Sequence, residues 1–176
     1  MMPIGPLMIE HRLIERMIKI MAEELHRIDR IKKINTGFIE IAVDFIRTYA
    51  DRCHHGKEED ILFRDLKKKN LSHEHRQIMA ELEEDHRRGR EITAQLLEIN
   101  ERYKKGDEKT VNALADSLQS LIDFYPKHIE KEDRHFFIPV MAYFDAPEKA
   151  AMLNEEYEFD RTLIHEKYKN IVTQFE

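Results

Sequence analysis

A stretch of this chain occurs twice, and this internal repeat restricts the fold more than any other feature. Residues 54–63 (HHGKEEDILF) correspond to residues 128–137 (HIEKEDRHFF), and residues 9–15 (IEHRLIE) resemble residues 84–90 (EDHRRGR). Each half of the chain therefore carries one histidine in its first segment and a His-x-x-x-Glu in its second. This order predicts two similar helical hairpins.

Apolar residues between these segments recur at helical spacings of three and four. The pattern predicts helices over about residues 6–28, 36–66, 72–103 and 108–144, and a fifth over about 147–175. Asn35 can cap the second helix, and Gly106 marks a turn. We expect one all-α domain, residues 1–176, in which an up-down four-helix bundle (about 6–144) is followed by an additional C-terminal helix.

Composition excludes several classes of protein. Only five Gly and five Pro occur in 176 residues, which argues against a β-rich fold. No stretch approaches the ~18 apolar residues of a membrane span, so no membrane partner is expected. Basic and acidic residues are interspersed at a net charge of -6, which gives no basic face for nucleic acid. Cys53 is the only cysteine, and a cytoplasmic location is expected.

Six residues of metal-binding type lie on the apolar faces of the four predicted bundle helices. They are His11, His54, Glu58, His86, His128 and Glu132. His54 is preferred over His55 because Thr48 and Asp51 share the face of His55. The lengths of the helices, at ~1.5 Å per residue, place the six side chains at a similar level of the bundle.

Burial of these six side chains requires a counter-charge or a mutual network, because an unpaired buried polar group costs ~1–3 kcal/mol. The set suits two metal ions: four imidazoles give two per ion, and two bridging carboxylates give each ion two oxygens. A bridging oxo or hydroxo group would bring each ion to five ligands. Mixed imidazole and carboxylate ligation favours two non-haem iron ions, with manganese or zinc as alternatives.

Four motifs resemble the hemerythrin-like, or HHE cation-binding, family. They are IEHRLIERMI, CHHGKEEDILF, EEDHRRGREI and HIEKEDRHFFIP, and the resemblance extends from His11 to about Pro139. The resemblance implies that the six residues above are di-iron ligands, with Glu58 and Glu132 bridging.

The chain departs from hemerythrins proper in two respects. Those proteins use five histidines, and their last carboxylate lies five residues after its histidine, which would be Asp133 here. Glu132 is preferred because it matches Glu58 in the repeat. A fifth histidine could come from His135 or His165, and its absence would argue against reversible oxygen carriage.

The remaining histidines are expected to have other roles. We expect His55, with His26, His73 and His75, at the surface or at helix ends. His135 is expected to support the site or pack in the core, and His165 to lie at a surface or interface.

The function favoured by these residues is a non-haem di-iron protein that binds or senses O2, or a related ligand such as nitric oxide or peroxide. One alternative is a di-iron enzyme that reduces peroxide or nitric oxide, or oxidises iron. Another is an iron-responsive interaction module whose C-terminal helix docks a partner or a second copy, giving a homodimer. A metal-free bundle with paired His and Glu side chains is the fourth reading.

Overall fold

Five long helices form the structure, a computed structural model that describes the backbone of residues 2–175 and the side chains of residues 2–164. They are α1 (Ile4–Ile31), α2 (36–66), α3 (His73–Lys104), α4 (111–140) and α5 (Ala146–Phe175). Short 3₁₀ turns, Glu108–Thr110 and Met141–Tyr143, precede and follow α4. Residues 2–175 contain no strand. The predicted all-α fold is confirmed.

The first four helices form an up-down bundle. α1 and α3 each pack against both α2 and α4, so the four helices form a closed ring around one interior. Short connections force sequential helices to run antiparallel. α5 packs on the outside of α2, against the middle of that helix, and is the additional C-terminal helix that the sequence predicts.

Local signals in the sequence explain where the helices begin and end. The side chain of Asn35 accepts a hydrogen bond from the Phe38 N–H, and the hydroxyl of Ser72 accepts one from the His75 N–H. These are the N-terminal caps of α2 and α3. Gly106 has a φ of 95°, which lets the chain turn tightly after α3. The predicted cap and turn are confirmed.

Two helices widen where they carry the repeated motif. In α2 the α-helical segment Thr36–Phe45 is followed by π-helical segments Ile46–His55 and Glu58–Phe63 and a last turn, Arg64–Leu66. In α4, Val111–Glu130 is followed by a π-helical segment, Lys131–Phe136, and by Phe137–Val140. Hydrogen bonds in a π-helix reach five residues back, so successive side chains are rotated less than in an α-helix.

The interior contains two apolar clusters, one toward each end of the bundle. One includes Ile14 to Ile28 on α1 and Leu114 to Ile129 on α4. The other includes Leu7, Leu82 and Phe136. A layer of buried histidine and glutamate side chains from the four bundle helices lies between the clusters. Within the described part of the chain, no helix has the length and apolar character required to cross a bilayer.

Candidate metal centre

The polar layer brings together seven side chains from all four bundle helices. Each is at most 2% exposed: His11, His54, His55, Glu58, His86, His128 and Glu132. All six residues proposed from the sequence are present. The seventh, His55, was expected at the surface, and that expectation is wrong. The π-helical segment that ends at His55 turns both this side chain and His54 toward the interior.

These side chains form two groups, each with ligand atoms close enough together to hold one ion. One group is His55, Glu58, His86 and His128, and the other is His11, His54, Glu58 and Glu132. The ligand atoms of each group lie within 4.8 Å of one another. Glu58 belongs to both groups, so the two ion positions are adjacent.

The two glutamates each direct one oxygen to each group. Glu58 places Oε1 3.3 Å from His54 Nε2 and Oε2 3.2 Å from His86 Nε2. Glu132 places Oε1 3.2 Å from His128 Nε2 and Oε2 3.1 Å from His11 Nε2. This arrangement allows both carboxylates to bridge two ions.

The atoms at the centre lack hydrogen bonds among the described residues. Both carboxylate oxygens of Glu58 and of Glu132 are buried without a hydrogen-bond partner, as is Nε2 of every one of the five histidines. The short distances between Nε2 atoms and carboxylate oxygens given above therefore do not have the angles of hydrogen bonds. Two ligands bound at right angles to one ion at about 2.1 Å would lie about 3 Å apart, close to the separations observed. These residues fit a pair of metal ions.

Outer carboxylates hold the opposite nitrogen of three histidines. His11 Nδ1 hydrogen bonds to Asp133 at 2.8 Å, His54 Nδ1 to Glu10 at 2.9 Å and His86 Nδ1 to Glu59 at 2.7 Å. For the remaining two histidines, Asp85 lies 3.6 Å from His128 Nδ1, and Asp51 lies 3.5 Å from His55 Nδ1. A carboxylate on Nδ1 orients the ring and leaves Nε2 free to bind an ion.

Four of these five outer carboxylates lie in the repeated segments, but their role was not predicted from the sequence. Glu10 and Asp85 each precede the lone histidine of a hairpin, and Glu59 and Asp133 each follow the interior glutamate. Asp133, considered above as an alternative ligand, is thus placed on His11 Nδ1 and outside both groups.

Two other histidines were considered as candidate ligands, His135 and His165. His135 is exposed, so the prediction that it packs in the core or supports the site is wrong. The π-helical segment Lys131–Phe136 changes the phase of α4 at this position. The side chain of His165 lies outside the described residues.

The neighbouring charges and hydrogen bonds in the centre lower the pKa of both glutamates and raise the pKa of His11, His54 and His86. Burial lowers the pKa of His54, but the charge of Glu58 and the hydrogen bond to Glu10 outweigh it and raise that pKa to about 10. Burial raises the pKa of Glu58, but His54 and His86 bring it well below its usual value. Burial and the charges of His86 and His128 lower the pKa of His55. An entering metal ion must displace the imidazole protons, so binding releases protons.

The fold and this cluster define a helical bundle with a buried His/Glu centre able to hold metal ions. Comparison with family models gives a match to the hemerythrin HHE cation-binding domain over residues 2–138, and another over residues 79–167. The chain belongs to this family. The second match begins in α3, where the second hairpin of the repeat begins. Searches of curated proteins and of solved structures found no match.

Proposed function

We propose that this protein holds two non-haem iron ions between Glu58 and Glu132 and binds or senses O2, or a related small molecule such as nitric oxide or peroxide. The observation that carries the proposal is the pair of ligand groups that share Glu58 at the centre of the bundle. Two ferrous ions would supply one electron each to a small oxidant.

The donor set favours iron over zinc. With both carboxylates bridging, the ion among His55, His86 and His128 would have five protein donors, one more than a structural zinc ion takes. Imidazole with carboxylate suits iron, and manganese is the nearest alternative. Absence of a fifth histidine ligand would argue against reversible oxygen carriage, and His55 would supply that fifth ligand.

The repeat is broken at His55, and this makes the two ion positions unequal. The residue that corresponds to His55 in the second hairpin is Ile129. With both carboxylates bridging, one ion would have three imidazoles and two oxygens, and the other two imidazoles and two oxygens. A bridging oxo or hydroxo group would complete six ligands on the first ion and five on the second. We therefore assign the exogenous ligand to the ion held by His11 and His54.

A small cavity lies on the outer side of Ile129, and none of the seven side chains of the centre lines it. It has a volume of about 210 Å³ and lies between α1 and α4, lined by Ile18, Tyr125, Pro126 and Ile129, with Glu15 and Lys19 also contributing. Pockets for organic ligands are typically ~300–1,000 Å³, whereas a water molecule takes up ~30 Å³. The cavity could admit a diatomic molecule or peroxide beside Ile129, but the assignment of the ligand rests on the unequal donor sets and not on this space.

Metal analysis and oxygen mixing test the proposal. We expect two irons per chain in iron-loaded protein, with near-ultraviolet absorption from an oxo-bridged ferric pair. His55→Ala should lower the iron content, whereas His26→Ala, the same change at an exposed position, should not. Iron content near zero in the wild-type protein would refute the proposal.

Stopped-flow mixing of the diferrous protein with O2 separates binding from enzymatic function. An adduct that persists and reverses when O2 is removed supports carriage or sensing. Rapid irreversible oxidation with turnover of peroxide or nitric oxide supports the enzymatic alternative.

A further inference from the structure

A partly buried chain of polar contacts connects α5 to the metal centre. His54 Nδ1 hydrogen bonds to Glu10 at 2.9 Å, and the other oxygen of Glu10 accepts a hydrogen bond from the ammonium of Lys57. Lys57 donates also to Asp160 of α5 at 3.0 Å. The contacts thus pass from α5 through α2 and α1 to one of the proposed ligands.

The centre of this chain is Lys57, a lysine with no solvent exposure. Burial of a charged lysine is costly unless the charge is paired, and among the described residues the Lys57 ammonium forms ion pairs with Glu10 and Asp160. The Cys53 thiol also donates a hydrogen bond to Asp160, at 3.2 Å. Glu10, Cys53 and Asp160 could themselves surround a cation, but the ammonium of Lys57 already lies against both carboxylates.

The backbone of α2 allows α5 to approach at this point. Gly56 lies between His55 and Lys57, and a Cβ atom at Gly56 would come within 2.8 Å of the ring of Phe159 on α5. A larger residue would push α5 away from Lys57. The close approach and the polar chain therefore occur at the same turn of α2, directly beside the ligands.

We infer that Lys57 and Asp160 position His54 through Glu10, so that docked α5 forms part of the metal centre. The inference rests on the proposed assignment of His54 as a ligand. Without Asp160, Glu10 would be the one ion-pair partner within 4 Å of the Lys57 ammonium among the described residues, and Glu10 would be drawn from His54. By thermodynamic linkage, binding of metal at His54 should in turn strengthen the docking of α5.

α5 also supplies a matched control. Glu155 accepts two hydrogen bonds from Arg64 of α2 at 2.6 and 2.8 Å. This pair fastens the same two helices but has no contact with Glu10 or His54 among those described. Asp160→Asn and Glu155→Gln each remove one carboxylate charge from the docked face of α5, and only the first interrupts the chain.

The experiment measures cobalt(II) binding by chelator competition in the full chain and its two variants. Loss of a carboxylate that supports a metal-bound histidine lowers metal affinity ~10–100-fold. Asp160 lies one contact further from the histidine than Glu10, so Asp160→Asn should lower the affinity for one of the two cobalt ions by about tenfold. The other ion should be unaffected. Glu155→Gln should leave both affinities within about twofold of the wild type.

Two further readouts respond to positioning of the histidine. In the NMR spectrum of the cobalt protein, Asp160→Asn should shift one imidazole N–H resonance and speed its exchange with solvent, the same resonance that Glu10→Gln perturbs. Cobalt should also slow amide exchange in α5 of the wild type and of Glu155→Gln more than in Asp160→Asn.

The outcomes separate this inference from the proposed function. If wild-type protein binds two cobalt ions and the two variants behave alike, the inference is overturned and the metal centre stands. If wild-type protein binds no cobalt, the proposed centre itself fails and the inference with it.

Discussion

Replacement of Glu58 by glutamine should remove both metal ions, because Glu58 belongs to both ligand groups. A glutamine side chain has the same size but offers one neutral oxygen, so it cannot bridge two cations. His55 belongs to one group alone. His55→Ala should therefore weaken the binding of one ion and leave the other ion bound.

The expected change in melting temperature follows from the free energy by which bound metal stabilises the folded state. At a free metal concentration 100 times Kd, one site stabilises the folded state by about 2.7 kcal/mol, so two independent sites give about 5.4 kcal/mol. For a chain of this size, each kcal/mol added to the free energy of unfolding raises Tm by about 2–4 °C. Two bound ions should therefore raise the Tm of the wild type by about 10–20 °C. The rise should be about half as large for His55→Ala and near zero for Glu58→Gln.

Differential scanning calorimetry with and without ferrous iron, under anaerobic conditions, measures these shifts. Glu81→Gln, at an exposed position of α3, is the matched control and should keep the full rise. A Glu58→Gln variant that still binds two ions, or a His55→Ala variant that loses both while Glu58→Gln loses one, would refute the shared-carboxylate arrangement.

Three other changes have defined outcomes. Ile129→His should add a donor to the ion held by His11 and His54 and abolish azide binding to the diferric protein, seen as loss of the azide charge-transfer band; an unchanged band would contradict the assignment of the open position. Leu82→Ala, at a fully buried site, should lower the free energy of unfolding in urea by about 2–5 kcal/mol, and a loss below about 1 kcal/mol would be unexpected. Burial raises the pKa of Glu156 from 4.5 to about 8, so the folded state binds the extra proton between these values. That stabilisation is complete below pH 4.5 and is lost as the pH rises through 8, at up to ~1.4 kcal/mol per pH unit. Glu156→Gln should unfold in urea with a weaker pH dependence over this range, and a slope equal to that of the wild type would contradict the shift.

The fold could be predicted from the sequence because the repeat and the apolar spacing agree. Each hairpin places its lone histidine and its His-x-x-x-Glu at one level, and the caps at Asn35 and Ser72 define where helices begin. The prediction that the C-terminal segment forms a further helix is confirmed by α5. Its role beside the metal centre could not be predicted, since a contact such as Lys57 to Asp160 joins residues far apart in sequence.

The composition of the centre could be predicted only in part. The assignment of His54 and the exclusion of His55 both assumed α-helical geometry, in which neighbouring residues point about 100° apart. The π-helical segment Ile46–His55 invalidates that assumption, and both rings are buried. The same cause explains the exposure of His135. Propensity and periodicity carry no signal for a π-helical turn, which is rare and occurs mostly as an interruption of an α-helix at functional sites.

The most direct test of the central claim is an anomalous difference map, collected at the iron absorption edge from crystals of the iron-loaded protein. We predict two peaks about 3.5–4 Å apart, as in other two-metal sites. One should lie among His55, His86 and His128, and the other beside His11 and His54, with Glu58 and Glu132 between them. A single peak in the bundle, or peaks confined to the surface, would contradict the account.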